Sequence, residues 1–160
     1  MDEGIQREMH HGECLMTPED TERCLSEETW GVLSVCGDDG YPYGVPMNYV
    51  WDEGTVLLHG TSESSHRLDA LRRSEKVCFT VVPEHTLDRE QWSTVYTSVI
   101  VFGKAEIIEA PAERRIAMRA FMQGLSPSKT GEALQICDPE TANLVMIRIR
   151  PVRITGKKST

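Results

Sequence analysis

No stretch of the 160-residue chain approaches the roughly 18 consecutive apolar residues that cross a bilayer. The polar, acidic first eleven residues lack the apolar centre of a secretory leader. A cytoplasmic location without a membrane partner is therefore expected. Five cysteines (Cys14, Cys24, Cys36, Cys78 and Cys137) are odd in number, widely spaced and without a C-x-x-C pair, which fits a reducing compartment and excludes a disulfide frame. Lys and Arg number 17 against 25 Asp and Glu, a net charge of −8, so the broad basic face that nucleic acid demands is missing. A small anion needs only a local basic pocket and stays open as a ligand. G-x-G-x-x-G, the P-loop signature and the G-x-S-x-G elbow are all absent, which argues against two nucleotide-binding modes and a serine hydrolase. Cys36 and Cys78 sit inside apolar runs and read as core residues, not nucleophiles. His10, His11 and Cys14 lack further ligands at suitable spacing, so no metal is expected there.

What is present reads as a soluble globular composition, 39% apolar and 26% charged, long enough for one domain over 1–160. A polar arm over 1–16 precedes a helix over 17–28, with Thr17 as cap, Pro18 at the first helical position and acids in the first turn. The barrel core is expected over 30–109. WGVLSVC alternates as a strand and GDDG turns it back; further strands follow over 43–51 and 55–60, then a short helix over 64–73 and a strand over 76–82 closed by Pro83. Residues 83–94 read as an irregular polar loop. YTSVIVFGKAEII is a long strand with a bulge or bend at Gly103, and Pro111 opens a helix over 111–124, with apolar Ile116, Ala117, Ala120, Phe121, Met122 and Leu125 close to helical spacing. Over 143–156 the last strand sets Val145, Ile147 and Ile149 on one face. Antiparallel strands joined by hairpins, with few helices between them, predict a mainly β protein: a small β-barrel with peripheral helices.

Three features bear on chemistry. Pro46 cannot donate to a ladder, so the strand around it has an open edge or a bulge; this reads either as a plain edge strand protected by its proline or as an edge whose Val45, Met47 and Asn48 backbone is free to face a flat ligand. Ser64, Ser65, His66 and Arg67 gather two hydroxyls, an imidazole and a guanidinium at a helix start, a setting suited to a phosphate. The residues alone leave open whether Ser64 merely caps the helix. His59 ends an apolar strand seven positions before His66; a satisfied core histidine is the commoner case at such a place, and the alternative is one pocket holding both, with His59 as the candidate for substrate positioning or proton donation.

The blocks GYPYGVPMNYVW, LLHGTSESSHRLDALRRSEKVCFTVV and TSVIVFGKAEII, in this order and spacing, resemble the nitroimidazole-resistance (Nim-type) branch of the pyridoxamine 5'-phosphate oxidase-like flavin-binding proteins. The resemblance implies an antiparallel, Greek-key-like, FMN-binding split β-barrel that forms a homodimer with FMN at the subunit interface. It places Val45, Pro46, Met47, Asn48 and Tyr49 along the isoalloxazine, His59 and Gly60 near the ribityl chain, and Ser65, His66 and Arg67 on the phosphate. Ser98 and Val99 would come from the partner. Ser65-His66-Arg67 departs from the Gly-His-Lys or Gly-Arg-Lys of many relatives but keeps a cation. The arginine-and-histidine substrate pocket of true pyridoxamine-phosphate oxidases is not recognisable. The expected activity is reduction of a small electron-poor aromatic such as a nitroimidazole, with NAD(P)H or another reductant recharging the flavin. The rivals are a flavin store, carrier or redox sensor, and the same barrel holding haem or a deazaflavin.

Overall fold

The computed structural model describes residues 8–61, 64–136 and 143–159. Strands β1 (Trp30–Cys36), β2 (Pro42–Asp52), β3 (Thr55–Thr61), β4 (Lys76–Asp88), β5 (Ser93–Ile108) and β6 (Leu144–Lys158) pair antiparallel in the order β1-β2-β3-β6-β5-β4 and close into a barrel. Four helices accompany them: α1 (Pro18–Glu27), α2 (His66–Arg73), α3 (Pro111–Leu125) and α4 (Thr130–Ile136). The mainly β, antiparallel barrel expected from the hairpin signals is the fold observed. No helix among the described residues is long and apolar enough to cross a membrane.

Period-two alternation in the strands fills the interior. Leu33, Val35, Phe79, Val81, Val99, Val101, Ile147 and Ile149 point inward and are almost wholly buried, each burial contributing on the order of 1.5–3 kcal/mol of transfer free energy. Tyr49 and Phe79 meet edge to face there, with centroids 5.0 Å apart. The helices α1 and α2 stop the two mouths of the barrel. Thr17 starts α1 by accepting the Asp20 N–H at 3.1 Å, and Leu25 enters the core from the end where Thr29 meets Tyr49. At the other end, Leu68, Ala70 and Leu71 of α2 enter the same core next to Gly37. A second apolar cluster lies outside the barrel, where Ala117, Met118 and Phe121 of α3 cover Val50, Leu57 and Met146. Ile116, though apolar, is 69% exposed, because Ala117, Met118 and Phe121 define the buried stripe.

Residues 83–94 are not an irregular loop. β4 continues past Pro83 through a register shift between Val81 and Glu84 and pairs with β5 out to Asp88–Ser93, forming a two-stranded arm beyond the barrel. Its turn is held by Asp88 Oδ1, which accepts the N–H groups of Glu90 and Gln91 at 2.9 Å each. The register also shifts at Gly103, where the bend was expected. Residues 127–136 form a short 3₁₀ turn and then α4, while Cys137 lies outside the described residues.

The outward face of β2, β1, β4, β5 and β6 carries a row Pro46–Val32–Thr80–Ile100–Thr155 and beside it Gly44–Ser34–Cys78–Phe102–Arg153. It stays partly open to solvent, with Trp30 54% and Val82 56% exposed. Cys36 and Cys78 belong to this outer face and not to the core: Cys36 is exposed and Cys78 half-buried. Strand parity decides this, since both share the side of Val32 and Ser34 rather than that of Leu33 and Val35. Burial nonetheless pushes the Cys78 thiol up, keeping it protonated and a poor nucleophile.

Candidate functional site

The barrel opens between β2 and β3. These strands pair only from Tyr49–Leu58 to Asp52–Thr55; beyond that point β3 continues with β6 alone, through His59–Met146, Gly60–Val145 and Thr61–Leu144. The first half of β2 therefore has β1 on one side and no strand on the other. Its ladder parity follows from the Tyr49 N–H, which donates to Thr29 O at 2.9 Å. Alternation then turns the backbone of Met47, Val45 and Tyr43 toward β1 and that of Asn48, Pro46 and Gly44 toward the opening. The open edge expected at Pro46 is present, but the backbone groups that face it are those of Gly44, Pro46 and Asn48; Val45 and Met47 spend theirs on β1 and offer side chains instead. The Asn48 side chain turns the other way and donates to Thr29 O at 3.1 Å.

The start of α2 lies at this opening. Ser65, not Ser64, is the cap: its hydroxyl accepts the Leu68 N–H at 3.4 Å, while Ser64 donates to Asp69 at 3.3 Å. His66 stacks on Tyr43 with ring centroids 4.2 Å apart and 17° between planes. Its Nε2 lies 3.2 Å from the Asp38 backbone N and 3.5 Å from the Asp38 carboxylate. Asp38 in turn binds Arg73 at 2.6 Å, and Asp69 binds Arg72 at 3.0 Å. Gly37 is required where β1 ends, since a Cβ there would stand 2.6 Å from Tyr41 O and 3.3 Å from His66 Nε2.

Arg67 differs from the other two arginines of α2. Its guanidinium reaches into the opening, with Nη1 3.7 Å from Met47 Sδ and Nη2 against Gly60, where any Cβ would collide with it. Its Nε is buried without a partner, and desolvation pulls its pKa down, partly offset by Tyr43. A desolvated cation beside thioether and glycine is costly unless an anion joins it. His59 supplies a second orphan: its Nδ1 is buried with no partner, while its ring rests 4.7 Å from that of Phe121 under α3. Burial first, and the charge of Arg67 second, hold the His59 pKa below its ordinary value, leaving a neutral imidazole at neutral pH.

Met47, Gly60, Ser65, His66 and Arg67 thus converge on one opening, with Val45 on the inward side of the same strand and His59 next to Gly60. Tyr49 and Val99 do not present side chains there. Both are fully buried in the barrel, and the Tyr49 hydroxyl donates to Leu25 O at 2.8 Å. Ser98 is half-buried on the uncovered outer face. Sequence reasoning missed Tyr43 and Asp38; Tyr43 was legible as the position two before Val45, which period two puts on the same face.

A barrel that parts between two strands at the mouth of a helix start is a split barrel. Residues 17–158 match the family described as Pyridoxamine 5'-phosphate oxidase, and the chain belongs to that family. No curated protein matches it. Among solved structures it is similar to a provisionally named 5-nitroimidazole antibiotic resistance protein of Bacteroides thetaiotaomicron, with 23% identity over 94% of this chain and 95% of that one and a TM-score of 0.70. A FAD-binding protein of Mesorhizobium loti gives 20% identity, coverages of 91% and 97% and a TM-score of 0.68. An FAD and haem binding protein of Mycobacterium smegmatis gives 18%, coverages of 89% and 71% and 0.72. These likenesses establish the fold.

Proposed function

We propose that the protein is a homodimeric, FMN-dependent oxidoreductase that reduces a small electron-poor aromatic such as a nitroimidazole. The observation that carries this reading is the half-buried Arg67 guanidinium in the split beside the N-terminus of α2, its Nε buried with no partner among the described residues. A phosphate is the anion that such a pair of features fits. Ser65, Arg67 and the first N–H groups of α2 would hold it, with His66 locking the corner through Asp38 and Tyr43. The apolar side chains of Val45 and Met47 and the open edge at Gly44, Pro46 and Asn48 suit a flat heterocycle. Flavin, when bound, supplies two-electron transfer drawn from NAD(P)H or another reductant. His59, being neutral, can hold a substrate oxygen or give it a proton from a ring N–H. The half-exposed outer face is the surface on which a second copy would pack, and it would bring Ser98, and Val99 through its backbone only, toward the partner's ring.

Purified protein should absorb in the blue and release FMN on denaturation, identified by mass. Anaerobically reduced protein mixed with a nitroimidazole should reoxidise as the nitro compound is consumed. Colourless protein that takes up no added FMN, FAD or other flavin would sink the reading. Two of the similar structures are named for binding FAD alone or FAD with haem, which favours a second reading: flavin held without turnover. Reduced protein that ignores the nitro compound would select it.

A further inference from the structure

Away from the split, a recess of about 520 Å³ lies between α1, the turn joining β2 to β3, and β6. That volume falls within the roughly 300–1,000 Å³ of small-molecule sites. None of its lining residues belongs to the opening at α2. Trp51 and Ile154 back onto the barrel core, and Met16, Pro18 and Pro151 add further apolar wall. Among the described residues Glu22 is the one ionisable group in the lining, and its Oε1 accepts the Trp51 indole N–H at 3.3 Å.

The walls are fixed before anything binds. The Met16 N–H donates to Gly156 O at 3.0 Å, Thr17 caps α1, and at the neighbouring turn the Thr55 hydroxyl donates to Asp52 O at 2.9 Å. Charge then selects the occupant. α1 carries Glu19, Asp20, Glu22 and Glu27 against Arg23 alone, and Arg23 is bound to Asp20 at 2.5 Å. Glu22 makes no ion pair among the described residues. On the β6 side Lys157, beside Gly156, is held by His10 O at 3.2 Å. We propose that this recess is a second binding site, taking a primary ammonium with an apolar body: the ammonium on the Glu22 carboxylate, the body against Trp51 and Ile154. A carboxylate gives the ammonium a charge-assisted bond, and an indole is the aromatic that a cation prefers. The site stands whether or not a flavin occupies the split.

A Trp30→Phe, Trp92→Phe protein, whose indole emission comes from Trp51 alone, is the reporter. Titration with 2-phenylethylammonium should change that emission saturably. The neutral 2-phenylethanol, of the same size, should bind about tenfold more weakly, the loss of one charged contact. Phenylacetate should bind more weakly than either. Glu22→Gln keeps an oxygen for the indole N–H but loses the charge, so the ammonium should bind it no more tightly than the alcohol, while the variant stays folded with its flavin content unchanged. No saturable response to the ammonium, equal binding of the alcohol or the acid, or undiminished ammonium binding by Glu22→Gln overturns the proposal. Should the tryptophan variant fail to fold, calorimetric titration of the wild type and of Glu22→Gln with the same compounds decides by the same outcomes.

Discussion

Buried polar groups near the two mouths of the barrel meet opposite fates. Near α1, Tyr49 carries a hydroxyl into the core and donates it to Leu25 O at 2.8 Å. That carbonyl belongs to the last turn of α1, where no intrahelical N–H remains to bind it. Burial pushes the phenol pKa well up, and the group is a structural pin. Near α2, Arg67 and His59 bury nitrogen atoms that nothing in the described fold satisfies. The first mouth completes its bonds from within the chain; the second leaves them for something that arrives from outside. One end is closed by bonds of its own; the other carries the site proposed for flavin binding.

The largest expected effect breaks the α2 mouth. Arg67→Met should cost about 100-fold in FMN affinity, ~2.7 kcal/mol, because charge-assisted bonds to the phosphate are lost. Thermal stability should hold or rise, since a desolvated cation is removed; flavin titration and melting curves check the two halves. A melting point that falls along with affinity would show Arg67 to be structural, like Tyr49.

Tyr49→Phe sharpens the contrast from the other side. It should destabilise the fold by about 1–2 kcal/mol, since Leu25 O is left buried without a donor, and leave FMN affinity unchanged. Urea unfolding and the same titration decide.

The smallest effect is one of pH. The folded pKa of His59 lies below the ordinary 6.5, so the unfolded chain binds a proton that the folded chain refuses. Stability is therefore complete above about pH 6.5, declines as pH falls through that value and levels off below the folded pKa. His59→Phe should flatten this dependence, as read from urea unfolding at several pH values across that window.

Most of the barrel was legible because alternation was. Val145, Ile147 and Ile149 announce a half-buried strand, and that face is the barrel interior. The arm was not legible, because a two-stranded ribbon in water buries neither face and so keeps the composition of a loop. The same blindness put Cys36 and Cys78 in the core: an outer sheet face can carry apolar residues without belonging to the core. At the opening, residue types led to Arg67, and the structure sets its guanidinium against Gly60, where a Cβ would collide with it. What sequence cannot supply is which side of a strand a backbone group faces. That depends on pairing, and it reversed the roles of Val45 and Met47 with those of Gly44 and Pro46 along the opening. Tyr49 looked like part of the same ligand-facing run until its hydroxyl proved to be spent on α1.

A half-strand without a neighbour invites another chain to join it, the first step of edge-to-edge aggregation. Pro46 stands in the middle of that half-strand, at a position whose N–H would point outward, and it has none. A foreign strand laid along this edge meets a missing donor and a pyrrolidine ring at its centre and cannot register. The residue that keeps this edge unpaired also guards the protein against polymerising through it.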